Sequence, residues 1–91
     1  MIPVKILSYK SPQRYAVKQT LRAALNELRI AYPGLEVNIE EVKHLDGMER
    51  YTPVVILPSL VVNERLVCVG RFPRKDEVVG WLRDALEASA G

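Results

Sequence analysis

The stretch Leu57-Pro58-Ser59-Leu60-Val61-Val62-Asn63 places a proline at the head of a short apolar run. A second apolar run, Leu66-Val67-Cys68-Val69-Gly70, follows after three polar residues. Because proline cannot donate to a β-ladder, Pro58 is expected at the first residue of a strand or at a special bend. Two apolar runs with a short polar connection predict a β-hairpin. A two-residue turn would require positive φ at Glu64, so we expect a turn of three residues or more.

The residues before this hairpin predict a strand, a helix and a second strand. Val4-Lys5-Ile6-Leu7-Ser8-Tyr9 is a short apolar strand, and Ser11 is the expected N-cap of the helix that follows, with Pro12 at its first position. Apolar residues then recur at spacings of three and four over about five turns, at Val17, Leu21, Ala24, Leu25 and Leu28. We expect Tyr32-Pro33-Gly34 to end the helix, with the glycine in a left-handed turn.

The alternation from Leu35 to Val42 predicts the second strand, and residues 44–51 predict a loop or a short helix. After the hairpin, Pro73 is expected to start the last helix, with Asp76 and Glu77 in its first turn. Gly80 inside that helix suggests close packing on the sheet. The order is β-α-β-(short α)-β-β-α. A strand–helix–strand unit favours a parallel crossover, and each amphipathic helix must cover the sheet, so we expect one α/β domain over residues 1–91 with a four-stranded mixed sheet flanked by helices.

Composition narrows the classes of function. The net charge is +2, the hydrophobic content is 48% and the charged content is 26%, as in an ordinary globular protein. We therefore expect no nucleic-acid partner, and no stretch is long enough to predict a membrane span. The sole cysteine, Cys68, excludes an intramolecular disulfide and fits the reducing cytoplasm.

The hairpin resembles that of the thioredoxin-like superfamily, and in particular its small thioredoxin/glutaredoxin-like members. Those proteins have a proline-threonine-leucine-valine hairpin, then a glycine and a proline-started last helix, as in Gly70-Arg71-Phe72-Pro73. The resemblance covers nearly the whole chain. It implies a thioredoxin-like fold and a cis proline at position 58 that faces the family's active site.

The chain departs from this family in the loop after the first strand. Where the family has Cys-Pro-x-Cys, this sequence reads Ser11-Pro12-Gln13-Arg14. Thiol–disulfide exchange needs a thiolate nucleophile and a resolving thiol, which neither serine nor arginine can supply. Dithiol oxidoreductase activity is therefore excluded, although the sequence leaves open whether another activity remains. Cys68, inside a predicted strand, is expected to be an inert buried residue.

Two groups of residues are candidates for a binding site. The resemblance implies a groove between the degenerate loop and the hairpin proline, lined by Tyr9, Lys10, Leu57 and Pro58. Arg14, Lys18 and Arg22 recur every four residues, so they form a basic stripe that either binds an anion or an acidic partner, or is a solvated face. The lone His44 lacks metal-ligand spacing, and we expect neither a metal nor a cofactor.

The sequence therefore favours a thioredoxin/glutaredoxin-like domain without redox-active cysteines, acting as a non-catalytic module that binds a protein or a small anion. The alternative is a glutathione- or thiol-linked role in redox homeostasis that uses no protein dithiol. The identity of the partner, the pathway and the oligomeric state stay open at this point.

Overall fold

The computed structural model describes residues 1–52 and 56–90, with side chains up to residue 88. The strands are β1 (Ile2–Leu7), β2 (Val37–Val42), β3 (Ser59–Val62) and β4 (Arg65–Val69). The helices are α1 (Ser11–Ala31), α2 (Leu45–Met48) and α3 (Lys75–Ala90). The predicted order of elements is confirmed. Of the apolar run Thr52–Ile56 before the hairpin, residues 53–55 lie outside the described part of the chain.

The four strands form one mixed sheet, as predicted, and their order in the sheet is β2-β1-β3-β4. β1 is parallel to β2, whereas β1–β3 and β3–β4 are antiparallel. In this register Leu7 pairs with Val42 and Ser59, and Ser59 pairs with Val69. These four residues mark one end of the sheet, next to Pro58, which we call the proline end. The turn between β3 and β4 lies at the opposite end.

The main core lies between the sheet and the two long helices. α1 and α3 pack against each other and against the sheet. The predicted apolar positions of α1 are all buried, which confirms the helical spacing. The other face of the sheet carries a smaller cluster, in which Leu7 and Val61 pack with Met48 of α2. In the described ranges, 1–52 and 56–90, none of the helices combines the length and apolarity that crossing a bilayer requires.

The hairpin turn differs from the expectation. β3 ends at Val62 and β4 begins at Arg65, so the turn has two residues rather than three or more. Asn63 and Glu64 have φ values of 52° and 65°, the signs that a type I′ turn requires. The Glu64 carboxylate accepts a hydrogen bond from the Tyr51 hydroxyl at 3.3 Å and lies 3.6 Å from the ammonium of Lys5. These contacts help to offset the cost of positive φ at Glu64.

Several predicted helix details are also wrong. The N-cap of α1 is Lys10 and makes no side-chain cap bond, while Ser11 is already helical. α3 begins at Lys75, two residues after Pro73. Gly34 does not adopt positive φ, and the C-cap of α1 is Tyr32, with φ of −128° and ψ of 74°. A Cβ at Gly80 would meet no atom within 4 Å, so close packing does not explain that glycine.

Candidate functional site

The loop that would carry the family's two thiols forms the first turn of α1, directly after β1. Ser11 and Pro12 are exposed, whereas Arg14, at the position of the second thiol, is only 8% exposed. A buried guanidinium is stable only when its N–H groups find acceptors. The contacts of Arg14 therefore decide what this half of the site can do.

Arg14 is held by two acceptors, one just after β1 and one in β2. Its Nη1 donates to the carbonyl oxygen of Ser8 at 3.0 Å, and its Nε donates to Oε1 of Glu41 at 3.0 Å. Lys18, one turn further along α1, donates to the other carboxylate oxygen of Glu41 at 3.3 Å. The hydrogen bonds from Lys18 and Arg14 hold the pKa of the Glu41 carboxyl below its ordinary value. We call these four residues the Arg14 clasp.

The clasp changes the interpretation of the predicted basic stripe. Arg14 and Lys18 both pair with the single carboxylate of Glu41 in β2, so they do not form one free basic face with Arg22. Arg22 is exposed and has no ion-pair partner among the residues that the structure describes. The continuous stripe was therefore a wrong expectation, because spacing of four along a helix does not show which members face the sheet.

The sequence did contain a signal for the clasp. Arg14 precedes Val17 by three residues and Leu21 by seven, so it lies on the apolar face of α1. Glu41 continues the alternation of Val37 and Ile39, which pack toward the helices. Two opposite charges on facing core surfaces predict an internal ion pair. The prediction of a basic stripe considered only the charges of α1 and not its apolar face, and so it missed this ion pair.

The rest of the loop is closed by its own hydrogen bonds. The Ser8 hydroxyl, in a fully buried side chain, donates to Oε1 of Gln13 at 2.6 Å. The same hydroxyl oxygen accepts the backbone N–H of Lys10 at 3.1 Å. The side chains of Ser8, Gln13 and Arg14 are thus engaged within the chain, although the N-cap of α1 makes no side-chain cap bond.

The hairpin half of the site retains more of the expected arrangement. The Leu57–Pro58 bond is cis, and the carbonyl of Pro58 accepts the N–H of Gly70 at 2.9 Å. Pro58 is buried and Leu57 half-buried. Ser59 Oγ donates to the carbonyl of Ile56. Gly70 has φ of +72°, and a Cβ there would lie 2.6 Å from Cγ2 of Ile56, so the chain approaches itself closely at this point.

Four exposed apolar residues lie on the chain segments that reach this proline end. Val69 ends β4 and is 42% exposed, while Phe72 lies three residues further on and is 51% exposed. Ile56, beside Gly70, is 51% exposed, and Tyr9, two residues beyond Leu7 of β1, is 53% exposed. We call these four residues the proline-end patch. Of the predicted groove residues, Tyr9 and Lys10 are exposed, whereas Pro58 is buried beneath the surface.

The groove itself is not one of the two cavities that the structure describes. One of them, of about 290 Å³, lies between the β3–β4 hairpin and α3. The other, of about 420 Å³, lies beside β2 and α2 and is lined mainly by charged residues. Neither of these two cavities includes Tyr9, Lys10, Leu57 or Pro58.

Cys68 and His44 have the surroundings expected of them. Cys68 is 3% exposed, its thiol donates to the carbonyl of Arg71 at 3.3 Å, and burial raises its pKa. A raised pKa keeps the thiol protonated and unreactive near neutral pH. His44 is exposed. In the part of the chain that the structure describes, no group of three or more potential ligands could hold a metal ion.

Comparison with known proteins agrees with the fold. Residues 3–83 match the family model of the thioredoxin domain. The chain therefore belongs to the thioredoxin-domain family, as a member whose single cysteine rules out the Cys-x-x-Cys motif. The four-stranded mixed sheet with flanking helices is the thioredoxin-like architecture expected from the hairpin. A search of curated proteins finds no match.

Proposed function

We propose that this thioredoxin-like domain is a non-catalytic protein-binding module that holds an extended apolar segment of a partner at the proline-end patch. The observation that carries the proposal is that Tyr9, Ile56, Val69 and Phe72, each about half exposed, all lie on segments that reach the end of the sheet beside a loop without thiols. Partly exposed aromatic side chains on a firm backbone are typical anchors of protein interfaces.

The charges of the neighbouring loop favour a protein partner over a small anion. An anion site built on the predicted Arg14–Lys18 stripe would need the charges of these two side chains to be free. Arg14 instead donates to Ser8 and Glu41, and Lys18 shares that carboxylate. Removing these donors from Glu41 would leave a carboxylate beside the incoming anion, which would repel it.

The glutathione- or thiol-linked alternative gains less support. It would need a reactive thiol or a thiol-binding pocket near Pro58. Cys68 is buried with a raised pKa. We place the binding function in the cytoplasm because of the chain's low cysteine usage.

Peptide selection tests the proposal and needs no candidate partner. A display library of random peptides is selected on the intact protein, and the affinity of the best peptides is measured by calorimetric titration. The variants Phe72→Ser and Ile56→Ser should weaken binding about tenfold or more, since interface aromatic and apolar anchors often contribute that much. Ile30→Ser is the matched control, because Ile30 is 84% exposed in the last turn of α1, away from the patch.

Binding that is equally strong in the Phe72→Ser and Ile56→Ser variants, or that depends on Ile30, would contradict the proposal. A glutathione-dependent disulfide-reduction assay tests the alternative. We expect no turnover above the uncatalysed rate. Turnover that disappears in Cys68→Ser would favour the thiol-linked role instead.

A further inference from the structure

The cavity between the hairpin and α3 combines apolar walls with two opposite charges. It is lined by the following residues: Val62, Asn63, Arg65, Leu66, Val67, Trp81, Asp84, Ala85 and Ala88. It lies at the end of the sheet opposite the proline end, since Val62 and Arg65 flank the hairpin turn. Ligand binding here would therefore be independent of the proposed peptide site.

A bulge in β4 lies in the wall of this cavity. Leu60 pairs with Cys68 and Val61 pairs with Leu66, which leaves Val67 without an opposing residue. Val67 packs against the main core on the helix side of the sheet, whereas Leu66 packs against the smaller cluster on the other face, so Val67 lies on the side of α3. Trp81 of α3, which is half-buried, adds an aromatic surface to the same space.

The two charges in the wall come from different elements and do not pair with each other. Arg65 is exposed at the start of β4, and Asp84 is exposed on α3. Within residues 1–52 and 56–90, neither side chain has an ion-pair partner. A guanidinium and a carboxylate that share a cavity without pairing are complementary to a ligand that carries both an anionic and a cationic group.

We propose that this cavity binds a small zwitterion with an apolar side chain, of the class of free α-amino acids. The ligand carboxylate pairs with Arg65, its ammonium pairs with Asp84, and its side chain lies against Trp81 and the bulged strand. The volume of about 290 Å³ is at the lower limit of ligand pockets, which run from roughly 300 to 1,000 Å³, so it suits a molecule of this size rather than a nucleotide.

Trp81 is the only tryptophan of the chain, so its fluorescence reports directly on this cavity. The probe is L-leucine, titrated into the intact protein. We expect a saturable change in tryptophan emission, together with backbone amide shifts confined to residues 62–67 and 81–88 in NMR spectra. Leucinamide lacks the carboxylate and N-acetyl-leucine lacks the ammonium, so each should bind at least about tenfold more weakly.

Two variants test which charged side chain pairs with which charged group of the ligand. Arg65→Gln should weaken leucine binding about tenfold and leave the weak binding of leucinamide, which has no carboxylate, unchanged. Asp84→Asn should also weaken leucine binding about tenfold and leave the weak binding of N-acetyl-leucine, which has no ammonium, unchanged. Arg83→Gln, an exposed neighbour on α3 that does not line the cavity, is the matched control. No saturable response to leucine, or equal affinity for leucine and its two derivatives, would overturn the proposal.

Discussion

The two halves of the region around Pro58 differ in how closely they follow the pattern that the family resemblance implies. The loop half, from Ser8 to Arg14, has a serine and a buried arginine where that pattern has thiols, and the arginine is bonded to Ser8 and Glu41. The hairpin half retains a cis proline, a positive-φ glycine and an exposed apolar patch. We infer that the loop now contributes to stability, whereas the hairpin end provides the binding surface.

The largest effect on stability is expected from breaking the Arg14 clasp. Arg14→Leu should lower the free energy of unfolding by about 2 kcal/mol, because it removes hydrogen bonds that a charged donor makes to the Ser8 carbonyl and to Glu41. Chemical denaturation measures the change. Arg22→Leu is the matched control, eight residues along the same helix, and should shift stability by no more than about 0.5 kcal/mol. Equal effects of the two variants would show that Arg14 has no special structural role.

A second effect tests the hairpin half. Gly70→Ala should destabilise the protein by about 1–2 kcal/mol, because φ at this position is +72° and the new Cβ would collide with Ile56. Thermal or denaturant unfolding measures it. Gly34→Ala, where φ is not positive and no atom lies within 4 Å of the added Cβ, should not be destabilising. A Gly70→Ala variant as stable as the wild-type protein would argue against this backbone geometry.

A smaller effect of opposite sign is expected in α3. Gly80→Ala should raise the free energy of unfolding by about 0.5–1 kcal/mol, since a Cβ there meets open space and alanine is the better helix former. Denaturant midpoints of the two proteins give the comparison. A loss of stability would mean that this glycine is required for packing after all.

The smallest effect concerns acid stability at the start of α3. Glu77 accepts two hydrogen bonds from Arg71 at 2.7 Å and one from the backbone N–H of Arg74 at 3.1 Å, which lower its pKa from 4.5 to about 2. Because the pKa of Glu77 is lower in the folded state than in the unfolded state, its carboxylate stabilises the fold at pH values above the unfolded-state pKa. This contribution is lost as pH falls from 4.5 toward 2. The free energy of unfolding measured across that window should fall less steeply in Glu77→Gln. Carboxyl titration by NMR near 4.5 in the folded protein would refute the assignment.

Local pattern was enough to predict the sheet and helices of this fold. Apolar spacing found the buried face of α1, and the proline-headed hairpin indicated the antiparallel strands and the family. The turn at Asn63-Glu64 was missed because glutamate rarely adopts positive φ, so the residue type argued against a two-residue turn. The Arg14 clasp was missed because the charges of α1 were considered apart from its apolar stripe, although the parallel pairing of β1 with β2 brings Glu41 to the face that Arg14 shares.

The division of roles between the two halves is tested most directly by measuring one peptide's affinity for two variants. The peptide is the best one selected on the wild-type protein, and folding of each variant is verified by its NMR spectrum at the titration temperature. We predict that Phe72→Ser loses about tenfold or more in affinity while retaining stability, because Phe72 is half exposed. Arg14→Leu should lose stability but retain the affinity. The reverse result, with binding lost in Arg14→Leu and kept in Phe72→Ser, would contradict the account.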